Sequence, residues 1–368
     1  MNREEIQKKA LDITMEHERC GLGISMGVGK TRIALQHLIK NYHPMCTYLV
    51  VVPKNAVEVS WKAEVDKMNL EVDILPQIQF VNYRSLHKLD PNNYNVVYLD
   101  ECHNLLFSHE EFLKNYKGKI LGLTGTPPVN KGSEKYTMVQ KYCPIVYSFS
   151  VDEATDNNIL NDYQIVIHKL RLSGVPNFQK KNKKGGYWYT SEIKDYEYCN
   201  SRYNQAVTSK QQQFAAIMRM RALMDYKTKE LYIKSMLKVA KNKTIIFANT
   251  QDQADRVCDY SYHSKNKNSD YNLELFSDGR IDQLSCVLQL SEGISIPNLR
   301  QGIIMHAYGN ERKTAQRIGR LLRLSPDQKA TCHILCYENT VDEKWVDKAL
   351  ESFDSNKIKY YTPETNKV

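Results

Sequence analysis

The chain has 368 residues, 42% of them hydrophobic, and its 51 basic and 42 acidic side chains give a net charge of +9. This length predicts two domains, and this hydrophobic content excludes a disordered chain. No apolar run approaches the ~20 residues that cross a bilayer, and the charged N-terminus lacks the apolar core of a signal peptide. We therefore expect a cytoplasmic protein that does not bind membranes. The basic surplus gives weak support for a polyanionic partner.

The nine cysteines are scattered singly along the chain and form no C-x-x-C pair. Cysteines paired at that spacing are typical of structural zinc sites, so the sequence argues against such a site. We expect these cysteines to be reduced, as in other cytosolic proteins.

Short apolar runs alternate with segments of helical period in the first half of the chain, which favours parallel sheets with crossover helices. We predict a helix over 30–41, where Ile33, Ala34 and Leu38 recur at helical spacing. Runs of the LVVV type are typical of parallel strands that are buried on both faces. The predicted strands are GLGIS, TYLVVV, QIQFVNY, NVVYLD and KILGLTG.

The middle of the chain has a different composition. Four lysines, two glycines and three consecutive aromatic residues in FQKKNKKGGYWYTSE predict a hairpin or a protruding loop over 178–190. This segment is either a wedge whose aromatic rings stack on a base or a solvated tip whose Trp188 packs on its own domain. The second interpretation is slightly favoured. Helical patterns follow at 192–207, 211–224 and 227–240.

The strand pattern resumes after residue 240. The predicted strands are KTIIFANT, YNLELF, SCVLQL, QGIIMHA and ATCHILCY, and the predicted helices cover 251–261, 311–323 and 341–352. We predict a first α/β domain over 1–150, a connecting region over 151–240, a second α/β domain over 241–354 and a tail over 355–368.

The stretch ISMGVGKTR places two glycines and a Lys-Thr pair between a predicted strand and a predicted helix. Backbone N–H groups at a helix start bind phosphate, glycines permit the required backbone, and a lysine adds positive charge. Gly27, Gly29 and Lys30 fit this role, and Thr31 fits a Mg²⁺ ligand. Ile24 stands where the strict pattern has glycine, so an ordinary glycine turn remains an alternative for this stretch alone.

A second motif, NVVYLDECHNL, carries an acidic pair 70 residues after Lys30. The apolar strand ends in Asp100 and Glu101, which at the carboxyl end of a parallel strand would face the phosphate loop. Asp100 would then hold Mg²⁺ and Glu101 would polarise the attacking water. A lone acidic pair at a strand end is usually a solvated turn, and the order of the two motifs is what favours nucleotide hydrolysis.

Two further stretches extend the pattern. LGLTGTPPVN places threonines on both sides of a glycine at another strand end, in a loop suited to sensing the γ-phosphate. AQRIGRLLR carries Gln316, Arg320 and Arg323 at helical spacing, so these side chains share one helix face. Arginines supplied to a transferring phosphate raise rates by ~10³–10⁵. The alternative for this helix is a basic solvated face.

The order of these motifs resembles motifs I, Ia, Ib, II, III, IV, V and VI of superfamily 2 helicases and translocases. The matching stretches are GVGKT, VVPKNAVEVSW, VNYRSL, LDECH, LTGTPP, TIIFANT, LSEGISIPNL and QRIGRLLR. Within the superfamily, they are similar to phage-type recombination and branch-migration DNA helicases and to Swi/Snf-like DNA translocases. The resemblance implies two RecA-like α/β domains, whose parallel β-sheets are flanked by helices and whose ATP site lies in the cleft between them.

The resemblance also implies ATP and Mg²⁺ as cofactors and assigns roles to individual residues. The implied nucleotide-binding residues are Gln7, Gly27, Val28, Gly29, Lys30, Thr31, Arg32 and Gly293, with Gln7 reading adenine. The implied catalytic residues are Lys30, Asp100, Glu101, Gln316, Arg320 and Arg323, with Thr31 and Asp100 as metal ligands. The implied nucleic-acid contacts are Pro53, Lys54, Tyr83, Arg84, Asn249 and Thr250. Contacts with phosphate give affinity without reading bases.

The implied function is that of an ATP-dependent DNA helicase or translocase that remodels branched or recombination intermediates. We expect a monomeric motor whose specificity a protein partner could supply, acting in the host cytoplasm if the protein is viral. One alternative is an RNA helicase, because DECH occurs there too, although TGTPP favours DNA. Another is a regulatory subunit that binds nucleic acid without autonomous unwinding, but such subunits often lose the lysine or the acidic pair.

The sequence also departs from the pattern of the superfamily between motifs IV and V. The stretch YHSKNKNSDYNLELFSDGRIDQL is short and leaves little room for the usual extra helix. We therefore predict a reduced second domain.

Overall fold

The computed structural model describes residues 1–25, 27–160, 162–181, 185–287, 296, 299–307, 329–351 and 353–363. The chain divides into two compact units, Met1–Asp162 and Tyr163–Val368. Within the described ranges, each helix is too short or too polar to cross a membrane.

A parallel sheet forms the centre of the first unit. Its strands are β1 Arg19–Ile24, β2 Tyr48–Val52, β3 Ile78–Asn82, β4 Val96–Asp100, β5 Lys119–Thr124 and β6 Ile145–Phe149. Among the described residues these strands have the order β3-β2-β4-β5-β1-β6, and each neighbouring pair is parallel. Every residue of β2 and β4 is buried, as expected for valine-rich parallel strands that are covered on both faces.

Helices connect these strands. They are α1 Arg3–Met15, α2 Lys30–Lys40, α3 Asn55–Met68, α4 Glu110–Asn115, α5 Glu134–Tyr142 and α6 Val151–Asp156. Short 3₁₀ helices cover Leu75–Gln77, Tyr83–Lys88, Pro91–Asn93, Cys102–Asn104 and Phe107–His109. Asn2 and Glu5 form a capping box at the start of α1, and Ser150 and Glu153 form one at the start of α6. These caps satisfy N–H groups that the first helical turn leaves unpaired.

A hydrophobic core packs one face of this sheet against α4 and α5. It includes Val51 and Leu99 from the strands, Phe112 from α4 and Met138 from α5. Full burial of a side chain of this size contributes roughly 1.5–3 kcal/mol. The core therefore fixes the strand ends from which the candidate site is built.

The second unit contains another parallel sheet and a separate hairpin. Its strands are β7 Tyr163–Leu170, β8 Phe178–Lys181, β9 Tyr187–Thr190, β10 Thr244–Ala248, β11 Ser261–Tyr262, β12 Gln283–Val287, β13 Gln301–Ile304, β14 Ala330–Tyr337 and β15 Ile358–Tyr361. Among the described residues the sheet order is β11-β12-β10-β13-β14-β7-β15, whereas β8 and β9 pair antiparallel with each other. Residues 163–240, which the sequence assigned to a connecting region, thus contribute β7 to this sheet. The predicted tail contributes β15.

The helices of the second unit surround this sheet. They are α7 Glu192–Asn204, α8 Ser209–Asp225, α9 Thr228–Val239, α10 Gln251–Val257, α11 Ser269–Ser277 and α12 Val341–Leu350, with a 3₁₀ helix at Ser355–Lys357. A hydrophobic core joins Leu223 of α8 and Ile233 of α9 to Ile246 of β10 and Leu335 of β14.

Most elements predicted from the sequence are confirmed to within a few residues, including the hairpin over 178–190. The strand predicted at YNLELF is wrong, because this stretch forms α11. Asn272, Leu275 and Phe276 are buried at i, i+3 and i+4 spacing, which is a helical period. The expectation of little room for a helix between motifs IV and V is wrong for the same reason. The predicted helix over 311–323 lies outside the described residues.

Candidate functional site

The sequence motifs of the first unit meet at one edge of its sheet. The glycine loop follows β1, Pro53 follows β2, Tyr83 follows β3, and Asp100 ends β4. Because these strands are parallel, their carboxyl ends lie at the same edge, and open parallel sheets bind their ligands there.

The glycine loop has a backbone that other residues rarely adopt. Gly27 has a φ of 88°, and Gly29, immediately before α2, has a φ of 102°. The buried side chain of Gln7 donates from Nε2 to the carbonyl oxygen of Val28 at 2.7 Å. A Cβ on Gly29 would lie 2.4 Å from that Nε2. Gln7 therefore braces the loop directly, and α2 begins at Lys30 with its N-terminal N–H groups beside it.

Asp100 is held by two aromatic side chains. Trp61 of α3 is fully buried, and its Nε1 donates to Oδ2 of Asp100 at 2.7 Å. Tyr83 is also buried, and its hydroxyl donates to the carbonyl oxygen of Asp100 at 2.9 Å. These bonds fix both the carboxylate and the backbone of Asp100. A fixed carboxylate can orient a metal ion without further rearrangement.

Glu101 adopts a left-handed backbone, with φ 52° and ψ 55°. This conformation costs a residue with a Cβ roughly 1–2 kcal/mol, and such strain is concentrated at functional sites. Its Oε2 lies 3.3 Å from Nδ1 of His103, which also lies 2.8 Å from the hydroxyl of Thr124. Thr124 in turn accepts from the backbone N–H of Thr126 at 3.1 Å. The acidic motif and the TGT loop are thus joined through one imidazole ring.

The two carboxyl groups have pKa values shifted in opposite directions. Burial and the adjacent Glu101 raise the pKa of Asp100, against the opposing effects of the Trp61 hydrogen bond and the charge of Lys30. Burial alone would raise the pKa of Glu101, but the interaction with His103 and the charge of Lys30 lower it below its ordinary value. Neighbouring buried carboxylates resist ionising together unless a cation is close. The edge therefore favours binding of a cation.

These residues fit ATP with Mg²⁺ on chemical grounds. The glycine loop can approach phosphates closely because Gly29 has no side chain, and a Cβ at this position would collide with Gln7. Oε2 of Glu101 is a buried acceptor without a hydrogen bond of good geometry in the part of the chain that the structure describes. Thr31 and Asp100 offer the hydroxyl and carboxylate oxygens that Mg²⁺ prefers.

Arg32 lies on the same helix as Lys30 but contacts a different partner. Its Nη1 lies 3.3 Å from Oε1 of Glu64 on α3, and both side chains are partly exposed. In the structure Arg32 thus joins α2 to α3, and its expected role in nucleotide binding stays a prediction.

The expected nucleic-acid contacts of the first unit differ in exposure. Lys54 and Arg84 are exposed, Pro53 is half-buried, and Tyr83 is buried. The hydroxyl of Tyr83 donates to the carbonyl oxygen of Asp100, so the Tyr83 ring packs inside the first unit. The next residue, Arg84, is exposed to solvent.

The expected contacts of the second unit follow β10. Asn249 is half-buried and Thr250 is exposed. The hydroxyl of Thr250 caps α10 by accepting from the N–H of Gln253 at 3.2 Å, and the Gln253 side chain accepts from the N–H of Asn249 at 3.3 Å. These contacts cap α10, and the expected role of both residues in nucleic-acid binding stays a prediction.

The remaining predicted site residues lie outside the described residues. They are Gly293, Gln316, Arg320 and Arg323.

Sequence reasoning missed two residues of the candidate site. Trp61 and His103 stand inside the quoted motifs VVPKNAVEVSW and LDECH, yet neither was assigned a role. No spacing rule predicts their contacts, because Trp61 reaches Asp100 across 39 positions and His103 reaches Thr124 across 21. The signal available was a tryptophan on the amphipathic helix that follows a core strand.

Two family models match the chain in the order of the units. A model for the type III restriction enzyme res subunit matches residues 1–129, and one for the helicase conserved C-terminal domain matches residues 227–325. The two ranges together cover more than half of the chain. A glycine loop and an acidic strand end on a parallel sheet, followed by this C-terminal domain, define a nucleic-acid-dependent ATPase of the helicase class. The chain belongs to the superfamily 2 helicases.

A relative found by its sequence agrees with this assignment. The DNA 3'-5' translocase XPB2 of Sulfurisphaera tokodaii is 25% identical over 374 residues, which cover 91% of this chain and 82% of the relative.

The fold is also similar to that of restriction enzymes. An ATP-dependent type ISP restriction-modification enzyme, LlaBIII, bound to DNA, superposes with a TM-score of 0.65 at 14% identity over 99% of this chain, which spans only 31% of that enzyme. A fragment of a putative HsdR subunit of a type I restriction enzyme from Vibrio vulnificus gives a TM-score of 0.61 at 15% identity, covering 98% of this chain and 68% of that one. The fold is thus that of two RecA-like domains, each with a parallel sheet flanked by helices.

Proposed function

We propose that the chain is a DNA translocase that couples ATP hydrolysis to movement along DNA. The position of Asp100 supports this best. It lies at the same sheet edge as the glycine loop, and two buried aromatic residues connect it to the segments that carry exposed basic residues. Trp61 lies on the helix that follows Lys54, and Tyr83 directly precedes Arg84. The similarity to a DNA 3'-5' translocase favours DNA over RNA as the track.

For hydrolysis, the loop at Gly27 and Gly29 presents backbone N–H groups to the phosphates, and Lys30 adds its charge. Mg²⁺, when bound, would neutralise charge that develops on the transferred phosphate. Thr31 and Asp100 would hold that ion. Glu101, which has a lowered pKa and therefore stays ionised at neutral pH, orients the attacking water and accepts its proton.

We propose that Gln316, Arg320 and Arg323 stabilise charge on the transferred phosphate, as the resemblance to motif VI implies. Gly293 would approach ATP or the nucleic-acid backbone. Gln7 is proposed to contact adenine from its position against the glycine loop.

Nucleic acid would bind through its backbone. Lys54 and Arg84 in the first unit are proposed to contact phosphates, with Pro53 shaping the loop. In the second unit Asn249 and Thr250, which follow β10, are proposed to contact phosphates. Contacts of this kind tolerate any sequence, which suits a motor that moves along DNA.

The finer expectations stay predictions. They are remodelling of branched or recombination intermediates, closeness to phage-type or Swi/Snf-like motors, monomeric action and specificity supplied by a protein partner.

The deciding experiment measures ATP turnover with single-stranded DNA, duplex DNA, a four-way junction or RNA. We expect DNA to raise turnover, and we expect Lys30→Ala to abolish turnover with every ligand. Stimulation by RNA alone would favour an RNA helicase. Binding without any stimulated turnover would favour a regulatory subunit.

A further inference from the structure

The hairpin of β8 and β9 exposes three consecutive aromatic side chains. Tyr187, Trp188 and Tyr189 are 62%, 49% and 64% exposed. Side chains alternate between the two faces of a strand, so both faces of this ribbon display an aromatic ring to solvent. The half-exposed Trp188 does not fit the interpretation of a tip packed on its own domain.

The root of the same hairpin is firmly anchored. Phe178 of β8 packs edge-on against the buried Tyr226, with ring centroids 5.1 Å apart. Lys180 forms an ion pair with the buried carboxylate of Asp195, which also accepts from the hydroxyl of Tyr226 at 3.1 Å. The exposed rings therefore stand on a fixed support, and their exposure does not reflect a detached segment.

The charge of this segment indicates the kind of ligand. Between residues 174 and 191 the sequence has four lysines and no acidic residue. Aromatic rings among lysines match a polyanion that also offers flat surfaces. Nucleic acid has both, and stacking of a base on an aromatic side chain is worth roughly 1–3 kcal/mol.

We propose that Tyr187, Trp188 and Tyr189, here called the aromatic ribbon, form a stacking surface for unpaired bases of nucleic acid. The ligand is single-stranded, because the faces of bases inside a duplex are already covered by their neighbours. The proposal rests on the proposed function for its ligand class. It adds a contact outside the motif loops, by which the chain holds a displaced or unpaired strand.

Tryptophan fluorescence tests the ribbon directly. The sequence has three tryptophans, of which Trp61 is fully buried and Trp345 half-buried, so Trp188 is the most exposed. We expect titration with an oligothymidylate to quench emission in the full chain and to leave emission of Trp188→Phe much less changed. Quenching that is equal in both proteins would overturn the proposal.

Affinity gives a second, independent readout. Replacing all three ribbon residues by alanine should weaken oligothymidylate binding by at least about fivefold, whereas Trp188→Phe alone, which keeps a stacking ring, should bind nearly as well as the parent. The matched control is the Phe214→Ala and Tyr271→Ala pair, two aromatic residues of the same unit that are 69% and 56% exposed. Equal affinity of the triple variant and the control would overturn the proposal.

These outcomes are separable from the proposed function. The triple variant should keep its ATP turnover on duplex DNA, because the ribbon is not part of the ATP site. If duplex DNA stimulates the parent but oligothymidylate affinity ignores the ribbon, the ribbon proposal fails and the translocase proposal stands. If nucleic acid never stimulates turnover while the ribbon still binds oligothymidylate, the translocase proposal fails and the ribbon proposal stands.

Discussion

The indole Nε1 of Trp61 donates a 2.7 Å hydrogen bond to Oδ2 of Asp100, and both residues are buried. Trp61 lies on α3, seven residues after Lys54 at the start of that helix. A displacement of α3 by a nucleic-acid phosphate would therefore reach a proposed metal ligand through a single bond. This contact would connect the proposed phosphate contact at Lys54 to the proposed metal ligand Asp100.

Trp61→Phe tests that connection, because it removes the donor and keeps most of the aromatic bulk. We expect DNA-stimulated turnover to fall by about 10- to 100-fold and the Mg²⁺ concentration for half-maximal turnover to rise. Steady-state kinetics over a Mg²⁺ series measures both. Trp345→Phe, the same change in the second unit, is the control and should alter neither. An unchanged Mg²⁺ dependence in Trp61→Phe would show that the bond does not position the metal ligand.

Gly29→Ala tests whether the glycine loop binds phosphate. Its φ of 102° disfavours any Cβ, and the new atom would lie 2.4 Å from Nε2 of Gln7. We expect nucleotide affinity to fall at least tenfold and the unfolding free energy to fall by about 1 kcal/mol or more. Fluorescent-nucleotide binding and urea unfolding measure these changes.

The control variant Gly279→Ala separates the effect of backbone strain from the effect of a steric clash. Gly279 has a φ of +75°, but no described heavy atom lies within 4 Å of a Cβ built there. It should lose stability through backbone strain and keep its nucleotide affinity. If Gly29→Ala behaves like Gly279→Ala, the loop does not bind phosphate as proposed.

The sequence predicts the motif loops well because strand type and strand order decide where they lie. Apolar runs such as TYLVVV and NVVYLD are buried on both faces, and parallel pairing then places Pro53 and Asp100 at one edge. The same parallel pairing places the acidic pair and the glycine loop at that edge, because each follows the carboxyl end of a strand.

The parts that the sequence did not predict depend on contacts between distant segments. A single residue type cannot show that Gln7 binds the carbonyl of Val28 or that Trp61 reaches Asp100. Short apolar runs are also ambiguous between strand and helix, which is why YNLELF was misassigned. The strand β7 was missed because it stands outside the motifs, although Tyr163, Ile165 and Ile167 alternate as buried residues.

The second unit contains a buried ion pair. Nζ of Lys229 is fully buried and donates to Oδ2 of Asp342 at 2.6 Å and to the carbonyl oxygens of Met305 and Leu335 at 2.9 Å. Lys229→Met would leave the carboxylate buried without its cation, which costs about 3–5 kcal/mol. We expect the urea midpoint to fall accordingly, while Lys234→Met, an exposed position on the same helix, should leave it unchanged.

Restoring neutrality checks the cause of that loss. The double variant Lys229→Met with Asp342→Leu should recover most of the lost stability, because a buried pair can be replaced by apolar residues at little cost. A double variant as unstable as the single one would point to packing instead of charge.

Two neighbouring histidines, whose ring nitrogens are in contact, predict a loss of stability in acid. Nε2 of His168 lies 2.9 Å from Nδ1 of His333, and His168 also contacts the Tyr232 hydroxyl at 2.9 Å. Burial lowers the pKa of His333 to about 4, and burial together with His333 lowers that of His168 to about 3. In the unfolded chain both histidines have an ordinary pKa of about 6.5. Below that pH the unfolded chain binds more protons than the folded chain, so the stability decreases as the pH is lowered. The loss levels off near pH 3, where the folded chain is protonated as well.

Urea unfolding between pH 7 and pH 5 measures this effect. Each histidine contributes a slope of up to about 1.4 kcal/mol per pH unit. His333→Asn should reduce the slope relative to the parent chain. An identical pH dependence in the two proteins would remove the histidine pair as its cause.

Displacement of a third strand from a duplex–triplex DNA substrate in the presence of ATP tests the central proposal most directly. Glu101→Gln is the matched variant, since it keeps the size of the side chain but removes the proposed proton acceptor, and it should lower hydrolysis by about 10²–10⁴-fold. We predict that the parent chain displaces the third strand only with ATP and that Glu101→Gln does not. Displacement by Glu101→Gln at the parent rate, or no displacement by a parent chain that hydrolyses ATP on the same DNA, would contradict the account.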